Sequence, residues 1–358
     1  MESAVSTVVE ANGLPHLKIS VQEEAPQEGI LELLKSLRPQ WRTGDVKMKV
    51  FTEGITNQLM ACYTGCLWSG DVVLVRVYGN MTDLFLDRRK EMEMFQTFHQ
   101  HGCGPKLYCS FENGICYEFM QGAVLEDSLL AQPHIYRLIA EELAKIHTIK
   151  PKAGSPPQPV LWTKMSQFLH LVQDSESEVP IVSSMCLPEA ASVDALQSEM
   201  TELKRRLAHV YSPIVLCHND LLTKNIVYDD RKGSVSFIDY EYADFNYQAF
   251  DIANHFNEFA GVGEIDYSLY PSVELQRAWL TVYLRRFKSS TGTDVTVSEQ
   301  EVNGLYVTVC QFSLASHFLW GLWAIFQARH STINFDFVQY AKARFQRYFE
   351  KKEEYFGM

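Results

Sequence analysis

The sequence predicts an α+β protein of two lobes, a small antiparallel sheet with one helix followed by a larger, mainly helical part. Three observations carry that prediction. Short β-branched and aromatic runs separated by turns fill residues 46–78 and 106–120, and apolar residues at helical spacing dominate from residue 133 onward. With 46% hydrophobic and 12% aromatic residues, the 358-residue chain has apolar surface enough for cores of that size.

Residues 1–29 mix Glu, Gln, Pro and small residues without a sustained period and are expected to be a flexible leader outside the fold. An N-lobe over 30–120 comes next. Val46–Phe51, Gln58–Tyr63 and Val72–Tyr78 read as a three-stranded antiparallel meander. The turn Thr64–Gly70 within it is expected to expose Leu67 and Trp68. Leu84, Phe85, Met92, Phe95 and Phe98 mark an amphipathic helix over 83–100, which Gly102 ends. Lys106–Phe111 and Ile115–Met120 then flank Glu112-Asn113-Gly114 as two more strands. The C-lobe, 121–358, shows helical period at Pro133–Thr148, Trp162–Gln173, Val193–His209 and most of the stretch after Glu274. Residues 151–159 and 174–190 read as surface loops.

Charge and cysteine usage narrow the function. Against 32 Lys and Arg stand 44 Asp and Glu, a net charge of −12, which argues against a nucleic-acid partner because phosphate-backbone affinity comes from clustered cations. The densest apolar run, Leu314–Phe326, is shorter than the roughly 20 residues of a membrane-spanning helix and contains His317. No signal peptide is seen, and eight sparse cysteines suit free thiols in the cytoplasm. Cys62 and Cys66 lack the second pair that a zinc site needs.

The segment Cys217-His-Asn-Asp-Leu-Leu-Thr-Lys-Asn225 places Asp220 and Asn225 at the spacing of a phosphotransfer loop; a polar loop with a turn-capping Asp is the plainer alternative. The next fourteen or so residues favour chemistry. Ile226–Tyr228 and Ser234–Ile238 surround the turn Asp229–Gly233, so a hairpin brings Asp239 back beside Asn225. Mg²⁺ prefers hard oxygen ligands and bridges the phosphates of ATP, while a carboxylate must take the proton of the attacking hydroxyl. Asp220 is therefore assigned as base, and Asn225 with Asp239 as Mg²⁺ ligands. His218 is expected to brace the loop. In the N-lobe, Glu53-Gly54-Ile55-Thr56-Asn57 joins two strands and could lay backbone N–H groups over phosphates, with Gly54, Thr56 and Asn57 as contacts. Arg76, a lone cation in an apolar strand, needs a partner; phosphate oxygens and Glu91 are candidates, and an edge Arg reaching solvent is the alternative.

Taken together, Val75-Arg-Val-Tyr-Gly79, Gly104-Pro-Lys-Leu-Tyr108, His218-Asn-Asp220, Phe237-Ile-Asp-Tyr-Glu-Tyr242 and Asp251-Ile-Ala-Asn-His-Phe256 resemble the choline/ethanolamine kinases over about residues 45–350. His218–Asn225 and Phe256-Asn-Glu-Phe-Ala-Gly261 are similar to the ethanolamine branch. The resemblance implies a protein-kinase-like bilobal fold, ATP and Mg²⁺, and phosphorylation of a small amino alcohol, ethanolamine, as the entry to phosphatidylethanolamine synthesis. It also implies an adenine hinge at Glu118, Phe119 and Met120, and an Asp251 that braces the catalytic loop. An amine pocket would come from Tyr242, Glu258, Trp320 and Trp323, since an alkylammonium prefers carboxylates and aromatic faces. Trp320 and Trp323, three apart, share a helix face. A core helix is the plainer reading of that stripe, and His255 and His317 are expected to be core residues. Choline kinase is the nearest rival function, an inactive nucleotide-binding scaffold a second. A protein kinase fits poorly, because Asp239-Tyr-Glu replaces Asp-Phe-Gly. A homodimer is left open.

Overall fold

The structure, a computed structural model, describes residues 7–9, 13–22, 24–51, 57–68, 71–79, 86–152, 154, 156–176, 181–331 and 333–358. They fall into two compact units, 1–122 and 123–358. The first unit carries strands β1 (Thr7–Val9), β2 (Pro15–Leu17), β3 (Val46–Phe51), β4 (Asn57–Thr64), β5 (Val72–Tyr78), β6 (Leu107–Phe111) and β7 (Gly114–Glu118), with helices α1 (Pro26–Leu37) and α2 (Arg88–Gln100). The strands form one sheet in the order β1-β2-β6-β7-β5-β4-β3. Its β3-β4-β5 meander and β6-β7 hairpin are antiparallel, and β2 joins β6 in parallel.

The mixed sheet corrects one expectation. Within the stretch read as a leader, Leu14, Leu17, Ile19 and Val21 are buried, the last three in a core with Ile30, Leu33 and Leu34 of α1 and Val73, Val75, Cys109 and Cys116 of the sheet. Leu17, Ile19 and Val21 alternate with polar residues, and each contributes about 1.5–3 kcal/mol on burial, enough to dock a short segment despite its polar flanks. Leu67 likewise departs from expectation: it is buried, whereas Trp68 is half exposed with its ring edge-on to Phe119.

β5 lies between β4 and β7 and is buried from Val72 to Val77. Its close packing shows at Gly114, where a Cβ would lie 2.1 Å from the Arg76 carbonyl oxygen, so only glycine fits. Asp87 starts α2 by accepting from the N–H groups of Arg89 and Lys90 at 3.0 and 3.2 Å. Of the residues expected to open this helix, 83–85 lie outside the described set and Leu86 precedes the cap.

The second unit contains β8 (Ala123–Val124), α3 (Pro133–His147), α4 (Leu161–Glu176), α5 (Ile181–Ser184), α6 (Val193–Leu207), β9 (Ile214–Cys217), β10 (Ile226–Asp229), β11 (Ser234–Phe237), β12 (Asp244–Tyr247), α7 (Gln248–Asn257), α8 (Val273–Thr291), α9 (Glu299–His330) and α10 (Phe337–Phe356). Two small sheets, β11-β10-β8 and β12-β9, are set among the helices. The stretch 174–190, read as a loop, contains the end of α4 and the short α5.

Helix α9 packs against α4, α7, α8 and α10. A capping box between Ser298 and Glu301 starts it. By length and composition it could cross a bilayer, yet 94% of its most apolar window is buried inside the protein, as in a core helix. At Gly321 it approaches α10 so closely that a Cβ would lie 2.7 Å from the Phe345 ring.

Candidate active site

The loop 218–225 leaves β9, and the β10-β11 hairpin returns the chain to it. Ile226 pairs with Phe237, and the Ile238 N–H donates to the Asn225 carbonyl at 3.0 Å. Asn225 and Asp239 therefore sit side by side at one end of the hairpin. The Asn225 side-chain amide donates to the Asp220 backbone carbonyl at 2.8 Å and to its carboxylate at 3.2 Å, which leaves the Asn225 side-chain carbonyl for another partner.

The loop is held from below by Asp251 of α7. Its carboxylate accepts from the backbone N–H of His218 at 2.8 Å and of Asn219 at 2.7 Å, and pairs with His147 Nε2 at 2.9 Å. Burial works against the Asp251 charge, but the hydrogen bond and charge of His147 outweigh it and hold the carboxyl below its usual range. His218 receives the Asp220 N–H at Nδ1, 3.3 Å, and contacts the Ile238 carbonyl through Nε2 at 3.0 Å. That pattern fixes the tautomer with the proton on Nε2. Burial pushes the His218 imidazole down, so it acts as a neutral brace. His147, Cys217 and Asp251 converge closely enough to suggest a metal cluster, yet the Asp251 oxygens already accept the bonds above and the Cys217 thiol contacts the Val215 and Tyr247 carbonyls.

Asn219 and Asp239 both adopt left-handed backbone, each at φ +66°. Asn and Asp tolerate that region better than other side chains. Asn219 is further fixed by donating to the carbonyls of Tyr242 and Asp244 and accepting from Asn246.

The surroundings of Asp220 are acidic. Desolvation first, then the charges of Asp239, Glu258 and Glu241, push its carboxyl well above the usual range. Such a crowd of oxygen donors suits a hard divalent cation, and the side-chain carbonyl of Asn225, unengaged among the described residues, and the carboxylate of Asp239 fit Mg²⁺ by donor chemistry.

Beside this cluster the aromatic residues close a box. Tyr242 meets Trp320 at 5.2 Å between ring centroids, Trp320 meets Trp323 at 5.5 Å, and Trp323 meets Phe337 at 5.7 Å and Tyr340 at 6.3 Å. The Trp323 indole donates to the Tyr242 hydroxyl at 3.0 Å, and the Trp320 indole to the Asn254 side-chain oxygen at 2.7 Å. Glu258, at the end of α7, is buried and accepts from Arg344 of α10 at 3.0 Å. Aromatic faces and carboxylates together can take up an alkylammonium.

In the first unit, Arg76 is buried and pairs with Glu91 at 3.0 Å; Arg88 pairs with the other Glu91 oxygen at 3.0 Å. Glu118 ends β7, its carboxylate accepting from the Lys106 N–H at 3.0 Å, and Phe119 and Met120 come after it, partly exposed. Asn57 opens β4 and accepts from the Gly79 N–H at 3.3 Å. Gly54 and Thr56 lie outside the described residues.

With this geometry in place, comparison with known proteins gives one answer. A family model described as "Choline/ethanolamine kinase" matches residues 48–349. The chain belongs to the choline/ethanolamine kinase family. Ethanolamine kinase 1 of Mus musculus is 50% identical over 95% of this chain and 94% of its own, and ethanolamine kinase 2 of Rattus norvegicus is 50% identical over 95% and 85%. Among solved structures, an ethanolamine kinase of Plasmodium vivax superposes with a TM-score of 0.77 at 29% identity, covering 91% of this chain and 89% of that one. The fold of this family member is thus protein-kinase-like, with ATP as the phosphate donor of its class.

The sequence reading missed Phe337, Tyr340 and Arg344. They recur at 3 and 4 residues along α10, a spacing that marks one helix face but does not say what it faces.

Proposed function

We propose that this chain transfers the γ-phosphate of ATP to the hydroxyl of ethanolamine, giving phosphoethanolamine for phosphatidylethanolamine synthesis. The observation that carries the reading is the juxtaposition of Asp220 with a buried carboxylate, Glu258, and a box formed by Tyr242, Trp320 and Trp323. The names of the half-identical relatives point the same way.

In this reading ethanolammonium lies against Glu258 and the aromatic faces, which replace its water and aim its hydroxyl at Asp220. Asp220 accepts the hydroxyl proton as the oxygen attacks, and Asn225 holds the Asp220 carboxylate in place through its amide. Asn225 and Asp239 would hold Mg²⁺, which when bound supplies positive charge to the phosphates. Arg76, kept in place by Glu91, would meet phosphate oxygens, as would backbone N–H groups around Gly54, Thr56 and Asn57. The backbone of Glu118, Phe119 and Met120 would meet adenine. Eight free cysteines suit the reducing cytoplasm, the location this reading assigns.

The test is ATP-dependent phosphorylation of ethanolamine and of choline side by side, with and without Mg²⁺, comparing kcat/KM. A strong ethanolamine preference is expected. Equal or better turnover of choline would move the substrate assignment, and no turnover of either would reject the catalytic reading.

A further inference from the structure

The amine pocket contains a buried cation that the chemistry above does not use. Arg344 is fully enclosed; it donates through Nη1 to Glu258 at 3.0 Å and through Nη2 to the Ser316 hydroxyl at 3.0 Å. Ser316 in turn donates to the Asn254 side-chain oxygen at 2.8 Å, the same atom that accepts the Trp320 indole at 2.7 Å. The Asn254 amide donates to the Asn219 carbonyl of the catalytic loop at 3.2 Å. One buried chain of hydrogen bonds thus runs from Glu258 through Arg344, Ser316 and Asn254 to Trp320 and the catalytic loop.

We propose that Arg344 is a positioning residue for amine recognition, acting through Glu258: it keeps that carboxylate ionised and aimed, and registers it against Trp320. The inference rests on the ethanolamine reading above and deepens it. A carboxylate enclosed in protein is driven toward its neutral form unless a cation stands beside it. Burial already pushes the Glu258 carboxyl up, with Arg344 as the opposing influence, so loss of Arg344 would shift it further toward the neutral form where the ammonium needs an anion. Arg344 engages one Glu258 oxygen with a single N–H, and among the described residues the other oxygen has no partner, which leaves it for the substrate. The catalytic loop is anchored separately by Asp251 through two backbone N–H groups, so losing Arg344 should affect amine binding more than the chemical step.

The test uses the full chain with Arg344→Met, Glu258→Gln and the double variant, varying ethanolamine and ATP separately. Arg344→Met is expected to raise the KM for ethanolamine roughly tenfold or more, while kcat and the KM for ATP stay within about threefold. Because Arg344 acts through Glu258, the double variant should be no worse than Glu258→Gln alone. An unchanged ethanolamine KM in Arg344→Met, or effects that multiply in the double variant, would overturn the proposal. Should the single variant fail to fold with Glu258 unpaired, the comparison of the double variant with Glu258→Gln decides alone, since a neutral pair of similar volume is tolerated in place of a buried ion pair. Wild-type turnover separates the two claims: no ethanolamine phosphorylation by the wild type rejects the functional reading, whereas an active wild type with an indifferent Arg344→Met rejects only the role of Arg344.

Discussion

At the scale of single residues, the catalytic loop is bordered by two side chains in left-handed backbone, Asn219 and Asp239. A residue with a Cβ is disfavoured there by about 1–2 kcal/mol, and Asp239 also stands among like charges. Glycine would relieve both at the expense of some chain entropy. Asp239→Gly is therefore expected to raise the thermal unfolding midpoint measured without ATP or Mg²⁺ while abolishing turnover; a lower midpoint would show that Asp239 stabilises the resting fold. The convergence of this loop was legible in the sequence because a short hairpin ties Asn225 to Asp239; the spacing of Trp320 and Trp323 showed a shared helix face but fitted a core helix equally, and their place in a pocket came from the family resemblance. Arg344 was not legible: it reaches Glu258 across 86 residues, and nothing local distinguishes it from the other cations of its helix.

At the scale of elements, the contact between α9 and α10 governs the pocket proposed for the amine, because α9 carries Ser316, Trp320 and Trp323 and α10 carries Phe337, Tyr340 and Arg344. Gly321 sets their separation against the fully buried Phe345 ring. Gly321→Ala should destabilise the protein by about 1–3 kcal/mol in urea unfolding, and raise the KM for ethanolamine as the helices part. Adding Phe345→Leu should recover part of both; no recovery would place the damage elsewhere. The amphipathic elements were readable from their periodicity. The burial of helix α7 was not, since its polar residues Gln248, Asp251, Asn254 and His255 recur at helical spacing as a solvent face would, yet all ten of its residues are buried. Strands β1, β2 and β8 are too short to show a period, and the segment around β2 was hidden by the Pro, Glu and Gln residues near it.

At the scale of the whole molecule, three enclosed histidines set the acid limit. Burial lowers His255 to about 4 against the backbone bond from its ring to Leu221, and lowers His218 and, more strongly, His317. Unfolded histidine titrates near 6.5, so below that pH the unfolded chain binds protons that the folded one refuses. Stability should fall as pH drops from about 6.5 toward 4, with His255 accounting for at most about 3 kcal/mol. Asp251, whose carboxyl lies below its usual range, adds its own loss only in stronger acid, as pH falls through the carboxylate range. Urea unfolding at pH 7.5, 6 and 5 measures the slope. His255→Asn should flatten it, and an unchanged slope would exonerate this ring.

The carboxylates gathered around Asp220 also bear on how a catalytic cycle ends. In the proposed reaction the substrate arrives as a monocation, which Glu241 and Glu258, both acting on Asp220, would attract. It departs carrying a phosphate of about −1.5 to −2, hence as a net anion. Walls that draw ethanolammonium inward would then repel phosphoethanolamine, and the net charge of −12 on the chain would add to the push. Product inhibition should accordingly be weak in dilute buffer and grow with ionic strength as the repulsion is screened, so that one set of charges serves both capture and release.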